Sequence, residues 1–474
     1  YQPTYHELMD HGLSHGVAAY AWQNLGAAGA HVARGAMCHL MYQLESGTVC
    51  PMTMTFASVP ALRMGSPDRC SLWINRGASG VYDPRDIPIE AKKGATIGMS
   101  MTEKQGGSDV RANSTIATPV SAQKSGNGDM FSLVGHKWFT SAPMSDAFLT
   151  LAQTDEHPNS PSCFLVPRWL PDGSRNKGFN IMRLKDKIGD RSNASSEVEY
   201  NDAYGFMIGE PGRGVPTIIE MVVHTRLDCT IGSAALMRHA AQQAAHHTSE
   251  RKAFGAYLID QPVMRSVLAD LAVESEAAIA TWVRMAQAFD AGASASQEEQ
   301  LFRRIATAVS KYWVCKRAPA MVFESLECFG GNGYVEEGPM ARLFRQSPLN
   351  SIWEGSGNVI SLDIVRALQK EEVGHAMVNE LEKARGYDKH LDSLLDNVKD
   401  NIFKPMEVGP RYLADQLALA LQANILLRDG NPKVAEAFCA LRLRPDQRGW
   451  NVGAWGSNTL GEEHISVCID RLRL

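Results

Sequence analysis

The spacing of apolar residues changes twice along this chain, and the two changes limit the folds that it can adopt. Residues 1–65 place apolar side chains three and four positions apart, as in the segment 31–42 (HVARGAMCHLMY). Residues 66–93 contain several Gly and Pro residues and predict a loop region. From 94 to about 209, short runs of β-branched and aromatic residues alternate with turn residues, and helical spacing returns after Gly214. This order predicts helices, then a β domain, then helices again.

The central region predicts a small antiparallel barrel or sandwich, because its candidate strands follow one another without intervening helices. The candidate strands lie at 131–140, 147–153, 163–170 and 195–200, and the turns between them lie at 126–128, 158–161 and 171–173.

The remainder of the chain predicts long helices. The helical patterns lie at 215–251, 261–291, 297–329 and 350–369, with more helix at 392–399 and 411–428. Four long helices with short connections indicate a bundle. We therefore predict an α+β fold with an N-terminal helical domain at 1–93, a central antiparallel β domain at 94–212, a four-helix bundle domain at 213–370 and an additional C-terminal helical domain at 371–474.

Composition narrows the class of protein. The chain has 474 residues, 44% of them hydrophobic, and a formal net charge of −5, which is typical of a globular protein and gives no general attraction to nucleic acid. Its nine cysteines include no CxxC pair, which indicates reduced thiols and a cytoplasmic or mitochondrial location. No apolar run approaches the roughly 20 residues that span a bilayer. The chain begins at Tyr1, so we expect the natural N-terminus to lie upstream.

The first segment with candidate chemistry is 99–110 (MSMTEKQGGSDV), in which a strand-like start leads into two glycines. Gly106 and Gly107 leave room for a flat ligand to approach the main chain, and turn amides can donate to its oxygens. Thr102 and Ser108 add hydroxyl groups. The alternative is an ordinary glycine turn.

The second segment is 136–143 (HKWFTSAP), a strand that carries Trp138 and Thr140. Strand alternation predicts that both side chains lie on one face. An indole beside a hydroxyl suits a flat ring with polar nitrogens along one edge. The alternative is a core tryptophan with a strand threonine.

The third segment is 350–358 (NSIWEGSGN), in which Glu354 lies between an aromatic residue and Gly355. A carboxylate in an apolar setting can act as a general base. The alternative is a solvated glutamate at the start of a helix, where the helix dipole favours negative charge.

Together, these three segments resemble the flavin-binding and catalytic signatures of acyl-CoA dehydrogenases. Residues 251–255 (RKAFG) and 327–334 (ECFGGNGY) match two further FAD segments of that superfamily in the same order, so the resemblance covers about residues 95–370. The sequence of residues 184–199 (LKDKIGDRSNASSEVE, preceded by Arg183) is similar to that of the AidB-like branch. This branch is associated with the bacterial response to DNA alkylation and carries an extra C-terminal helical domain.

The resemblance implies a role for each matching residue. Glu354 would be the base that removes the α-proton of a fatty acyl-CoA while hydride passes to flavin N5. The residues that would contact FAD are Met99, Met101, Thr102, Ser108, Trp138, Thr140, Arg251, Phe254, Glu327, Gly331, Ser356 and Asn358. The residues that would contact acyl-CoA are Ser108, Thr225 and Arg226. Glu327 departs from the pattern, because most dehydrogenases have glutamine there.

The resemblance also implies partners. FAD would lie between the β domain and the bundle, and its contacts across subunits would imply a homotetramer built as a dimer of dimers. An electron-acceptor flavoprotein would reoxidise it.

Two other functions remain open from the sequence. One is a flavin-containing protein of the alkylation response whose C-terminal section binds DNA or a regulatory partner, and the other is a protein that sequesters acyl-CoA with little turnover. The basic cluster 442–448 (RLRPDQR) is interpreted as a solvated face, so DNA binding would be weak. His246 and His247 lack a matching ligand pair, so we predict no metal site.

Overall fold

The structure, a computed structural model, describes residues 2–121, 123, 125–290, 295–444 and 451–473. These residues divide into two units. The first unit contains Tyr1–Leu25 and Ala36–Asp228, and the second contains Gly26–Gly35 and Cys229–Leu474.

The first unit begins with helices, as the sequence predicts. They are α1 (Pro3–Ser14), α2 (Tyr20–Gln23), α3 (Ala30–Leu44, whose first residues belong to the second unit), α4 (Ser46–Leu62) and α5 (Pro67–Gly77). The prediction of a loop over 66–93 was wrong for α5. Pro67 is the first residue of that helix, a position where proline is favoured because its missing N–H has no partner there anyway.

The β region forms a seven-stranded sheet among the described residues. Its strands are β1 (Ile97–Ser100), β2 (Ile116–Pro119), β3 (Met130–Ser141), β4 (Ala147–Thr154), β5 (His157–Pro167), β6 (Phe179–Leu184) and β7 (Ser195–Ile208). The order β4-β2-β3-β7-β5 closes on itself because β4 also pairs with β5. Strand β6 pairs with the first half of β7, and β1 pairs with β4. Most pairs are antiparallel, but β1 and β2 both pair with β4 in parallel, with Ser100 opposite Thr150 and Ile116 opposite Gln153.

The interior of this closed sheet is filled by alternating side chains of the strands. Phe131, Leu133, Phe164, Val198 and Tyr200 belong to one cluster of buried residues. The turn predicted at 158–161 was wrong, because β5 starts at His157 and residues 158–160 form its exposed end. Proline is tolerated there because an edge position needs no ladder hydrogen bond from its nitrogen.

The second unit is helical apart from one short hairpin. It contains most of α6 (Gly214–Glu250), the hairpin strands β8 (Lys252–Ala253) and β9 (Ala256–Tyr257), and then α7 (Pro262–Asp290), α8 (Gln297–Glu327), α9 (Pro339–Gln346) and α10 (Gly357–Leu368). The bounds of α6, α7 and α8 follow the predicted helices closely. Leu236, Ala240, Val322 and Leu343 form part of a buried cluster among them.

The helix predicted over 350–369 was wrong in its first turns. A short 3-10 helix occupies Leu349–Ser351, and α10 starts only at Gly357. Glu354 and Gly355 have φ angles of +56° and +102°, which are incompatible with a right-handed helix. A separate turn therefore precedes α10.

The C-terminal section is helical, as predicted. Its helices are α11 (Glu371–Glu382), α12 (Lys389–Asn401), α13 (Pro405–Val408), α14 (Pro410–Asp429), α15 (Pro432–Phe438) and α16 (Glu462–Asp470). Helices α12 and α14 contain the predicted helices at 392–399 and 411–428. Among the described residues, no helix combines the length and apolar character needed to cross a membrane.

Candidate active site

The glycine turn after β1 has a conformation that only glycine accommodates easily. Gly106 has a φ angle of +119°, and its N–H donates to the carbonyl of Glu103 at 3.0 Å. A Cβ atom on Gly107 would lie 2.4 Å from Thr102 Oγ1, so the missing side chain makes room for the threonine. The other predicted ligand contacts of this segment are half-buried or exposed: Met99, Met101 and Ser108.

A buried ion pair, absent from the sequence-based prediction, links this turn to β3. Glu103 and Lys137 have fully buried side chains, and Lys137 Nζ lies 2.8 Å from Glu103 Oε1. The Glu103 carboxylate also accepts hydrogen bonds from the amides and hydroxyls of Ser114 and Thr115. Burial acts to raise the pKa of Glu103, but the Lys137 charge and these hydrogen bonds outweigh it and lower the pKa to about 2. Glu103 is therefore ionised at neutral pH.

Trp138 and Thr140 are joined to the same turn by hydrogen bonds. The Trp138 amide donates to the Thr102 carbonyl at 2.7 Å, and Thr140 Oγ1 lies 2.5 Å from Ser100 Oγ. The pairing of β3 with β7 shifts register between Lys137 and Thr140, which interrupts simple alternation. Trp138 is half-buried and Thr140 is fully buried. Their location on one face of the strand stays a prediction.

A lysine that the sequence analysis did not single out covers the Trp138 ring. Lys185 follows β6, and its Nζ lies 3.3 Å from the centre of the indole, a cation–π contact. The same ammonium donates to Glu197 Oε1 at 2.7 Å, which holds it in place. The indole therefore has a positive charge on one of its faces.

The predicted acyl-CoA contacts on α6 are buried. Thr225 is 2% exposed and Arg226 is 7% exposed, and Thr225 Oγ1 donates to the carbonyl of Val222. The neighbouring His224 places Nδ1 2.8 Å from the Glu220 carbonyl, so that nitrogen carries the hydrogen. The His224 ring also packs against Trp22 and Phe56, with centroids 5.6 Å apart in both pairs. An imidazole held in this way is poorly placed to act as a mobile base.

The segment 251–255 forms the hairpin of β8 and β9. Phe254 and Gly255 occupy its two turn positions with φ angles of +55° and +84°, as a two-residue hairpin loop requires. The Phe254 side chain is 97% exposed, an unusual position for a large aromatic residue. Arg251 is also exposed, and its amide donates to the His247 carbonyl at the end of α6.

The segment 327–334 lies next to the base of this hairpin. Phe329 stacks on His247 with ring centroids 4.4 Å apart. Glu327 and Gly331 are exposed. A Cβ atom on Gly333 would lie 2.2 Å from the Leu326 carbonyl oxygen, so this turn passes against the end of α8 as only glycine can.

The turn that carries Glu354 is held by buried polar groups. Lys311 of α8 is 1% exposed, and its ammonium donates to the Trp353 carbonyl at 2.8 Å and the Gly355 carbonyl at 2.5 Å. Trp353 Nε1 donates to Asn350 Oδ1 at 2.8 Å. Glu354 itself is half-buried. Hydrogen bonds from Lys311 to the carbonyls of the preceding and following residues therefore hold the backbone that carries the Glu354 carboxylate.

Residues at the start of α10 contact the C-terminal section. Ser356 is the N-cap of the helix, and Ser356 and Asn358 are both exposed. Arg411 of α14 donates to Asn358 Oδ1 at 3.2 Å and lies 3.4 Å from the Tyr312 hydroxyl. The extra section thus touches a residue predicted to contact FAD, which the sequence analysis did not anticipate.

The interpretation of 442–448 as a solvated face was wrong for Arg442. Its guanidinium bonds to Asp270 and lies 2.9 Å from Glu274, both of α7, and its side chain is 15% exposed. Charge from both carboxylates, which outweighs the effect of burial, raises the pKa of Arg442. Residues 445–448 of the cluster, including Arg448, lie outside the described residues. Among those described, no group of three or more His, Cys, Asp or Glu side chains is arranged to hold a metal ion.

Comparison with known proteins gives the family. Residues 212–369 match the acyl-CoA dehydrogenase C-terminal domain, residues 98–203 its middle domain, and residues 1–84 the N-terminal domain of the adaptive response protein AidB. AidB of Escherichia coli (strain K12) is 42% identical over 450 residues, which cover 95% of this chain and 81% of that protein.

A sequence match and a solved structure from Caenorhabditis elegans agree. Acyl-CoA dehydrogenase family member 11 is 32% identical over 404 residues, and the chain spans 62% of the length of that relative. The crystal structure of ACDH-11 in complex with C11-CoA matches with a TM-score of 0.81 and 25% identity, covering 99% of this chain and 79% of that one. This likeness confirms the predicted fold class. The chain therefore belongs to the acyl-CoA dehydrogenase family of oxidoreductases, within its AidB-like branch.

Proposed function

We propose that this protein is an FAD-dependent acyl-CoA dehydrogenase that forms a trans-2-enoyl-CoA, with Glu354 as the base. The conformation of Glu354 carries the proposal: it is a half-buried carboxylate with a φ angle of +56°, inside the segment that matches the C-terminal domain of the family. A left-handed residue other than glycine costs on the order of 1–3 kcal/mol and persists where its surroundings hold it, commonly at active sites.

The alternative interpretation of Glu354 as a solvated helix-start glutamate has less support. Helix α10 begins at Gly357 and has Ser356 as its N-cap, so Glu354 lies outside the first turn, where the helix dipole acts.

The chemistry assigned to Glu354 is a proton transfer. Its carboxylate would take the proton from the α-carbon of the acyl thioester as hydride leaves the β-carbon. Negative charge then develops on the thioester oxygen and needs an aimed donor. In the family that the chain resembles, the backbone amide of the same glutamate provides one.

The residues present fit an FAD molecule. A Cβ atom on Gly106 would meet nothing within 4 Å, so a flat ring can approach the main chain there, and Trp138 offers a half-buried aromatic surface. When bound, FAD would accept the hydride, which no amino-acid side chain can do. We propose that it is held by the residues named from the resemblance: Met99, Met101, Thr102, Ser108, Trp138, Thr140, Arg251, Phe254, Glu327, Gly331, Ser356 and Asn358. The exposed carboxylate of Glu327 can accept a hydrogen bond from a ribose hydroxyl but would repel phosphate.

A fatty acyl-CoA is the proposed substrate, with Ser108, Thr225 and Arg226 among its contacts. The complex of the related ACDH-11 with C11-CoA supports an aliphatic acyl chain. An electron-acceptor flavoprotein would then reoxidise the cofactor.

The proposal includes a homotetramer, in which a second copy covers exposed aromatic residues. Phe254 is 97% exposed and Tyr334 is 87% exposed, and both lie within segments that the resemblance assigns to FAD. The nine cysteines are all buried thiols, which supports a reducing cytoplasmic location.

The proposal is tested by anaerobic titration of the purified protein with saturated acyl-CoAs of graded chain length. We expect yellow protein with FAD bound and loss of flavin absorbance with at least one chain length. Protein that cannot be reconstituted with FAD would refute the proposal. Tight acyl-CoA binding without loss of absorbance at any chain length would favour the sequestering function instead.

A further inference from the structure

We propose that Lys311 is a positioning residue that holds the Glu354 turn in its left-handed conformation. Its importance for the reaction rests on the proposed function of Glu354 as the base. Its structural role in the turn does not, so the two ideas can fail separately.

The position of the Lys311 ammonium is the main support. The side chain leaves the middle of α8, is 1% exposed, and donates to the two carbonyl groups on either side of Glu354, those of Trp353 and Gly355. Within the described ranges, the ammonium forms no salt bridge with a carboxylate. Burying an ammonium is costly unless other groups replace its hydration. Here the carbonyls of this one turn do so.

The conformation of the turn explains why such a contact is needed. Glu354 and Gly355 follow each other with φ angles of +56° and +102°, and the first of these is unfavourable for a residue with a side chain. A cation that binds the Trp353 and Gly355 carbonyls fixes the peptide group before Glu354 and the one after Gly355, so it holds both ends of this left-handed pair. If the turn relaxed, the Lys311 ammonium would be left buried without acceptors.

The first half of the turn is held by different bonds. The amides of Ile352 and Trp353 donate to the Leu349 carbonyl at 2.9 and 3.2 Å, and Asn350 Nδ2 donates to Ser233 Oγ at 3.2 Å. These bonds do not include Glu354 and Gly355, the second half of the turn, which is held by Lys311. Loss of the ammonium should therefore increase opening of the turn without removing the short 3-10 helix before it.

Backbone hydrogen exchange of the full-length protein tests the structural part. Lys311→Met keeps the length of the side chain but removes the donor. We expect the Glu354 and Ser356 amides, which share peptide groups with the two bonded carbonyls, to exchange about tenfold faster or more, because hydrogen bonds from a charged donor contribute more than neutral ones. The Trp353 amide, which donates to the Leu349 carbonyl, should keep its rate. Lys311→Gln retains an amide donor and should give an intermediate rate, which also provides a variant if Lys311→Met folds poorly.

A matched control separates this effect from general instability. Lys92 is 3% exposed and donates to Asp146 and to the Arg85 carbonyl in the first unit. Lys92→Met should lower overall stability and leave exchange in the turn unchanged. Unchanged exchange in Lys311→Met, or an equal increase in Lys92→Met, would overturn the proposal.

Flavin reduction by acyl-CoA tests the catalytic part. In Lys311→Met we expect unchanged FAD content and acyl-CoA affinity but slower reduction at saturating acyl-CoA, with partial recovery in Lys311→Gln. Reduction at the unmodified rate despite faster exchange would refute the positioning role. If the unmodified protein is never reduced, the proposed function fails, and hydrogen exchange alone decides whether Lys311 holds the turn.

Discussion

At the scale of single residues, the proposed reaction depends on one carboxylate. Glu354→Gln keeps the shape of the side chain and the left-handed backbone but removes the proton acceptor. We expect a folded, yellow protein that still binds acyl-CoA and reduces its flavin roughly 10²–10⁴-fold more slowly, the usual contribution of general-base catalysis. Anaerobic stopped-flow absorbance measures this rate directly.

His224 provides the control for this prediction. It is the candidate base that α6 offers beside Thr225 and Arg226, yet its Nδ1 is bonded to the Glu220 carbonyl and its ring packs against Trp22 and Phe56. His224→Asn should therefore reduce its flavin at close to the unmodified rate. Rapid reduction in Glu354→Gln together with slow reduction in His224→Asn would transfer the role of base to the histidine.

At the scale of elements, the Glu103–Lys137 pair joins the glycine turn to β3 and makes that junction sensitive to acid. The pKa of Glu103 in the folded protein, about 2, lies below its ordinary value of 4.5, so the unfolded chain takes up a proton at this residue first as the pH falls. The stabilising contribution of Glu103 is complete above the ordinary value and is lost as the pH falls towards 2. We expect the free energy of unfolding to decrease over this range.

A double variant isolates this pair from the other carboxylates. Glu103→Gln with Lys137→Met removes both charges, so neither is left buried alone. Between about pH 6 and about pH 3, urea unfolding should show a smaller loss of stability in the double variant than in the unmodified protein. An equal loss in both proteins would mean that Glu103 does not titrate as its surroundings indicate.

Secondary-structure elements were predicted well where the spacing of apolar residues along the chain determines them. They were predicted poorly where a side chain distant in sequence determines them. The long helices α6, α7 and α8 follow from the spacing of their apolar residues alone. The turn at Glu354 does not, because it depends on Lys311, which lies more than 40 positions earlier in the chain. Lys137 shows the same limit: it continues the buried alternation of Phe131 and Leu133 in β3, but only the fold reveals Glu103 as its partner.

At the scale of the whole molecule, the C-terminal section determines whether the DNA-binding alternative has support. Residues 403–474 contain nine Lys or Arg against eight Asp or Glu. Among the basic residues that the structure describes here, salt bridges with carboxylates are formed by Arg428, Lys433, Arg442, Arg471 and Arg473. Arg442 is also largely buried against α7. Few cations of the described part of this section are therefore available to bind phosphate.

These paired charges lead to a prediction about DNA. Affinity for duplex DNA depends on releasing counterions from phosphates, and each cation already paired with a carboxylate contributes little to it. We expect no stable binding of a short random-sequence duplex at physiological salt, and only weak, steeply salt-dependent binding at low salt, measured by fluorescence anisotropy. Arg442→Gln should leave this weak binding unchanged while lowering the free energy of unfolding, because it removes a partner of Asp270 and Glu274. Submicromolar binding at physiological salt that is lost when Lys404, Arg444 and Arg448 are changed to Gln would instead support a DNA-binding function for this section.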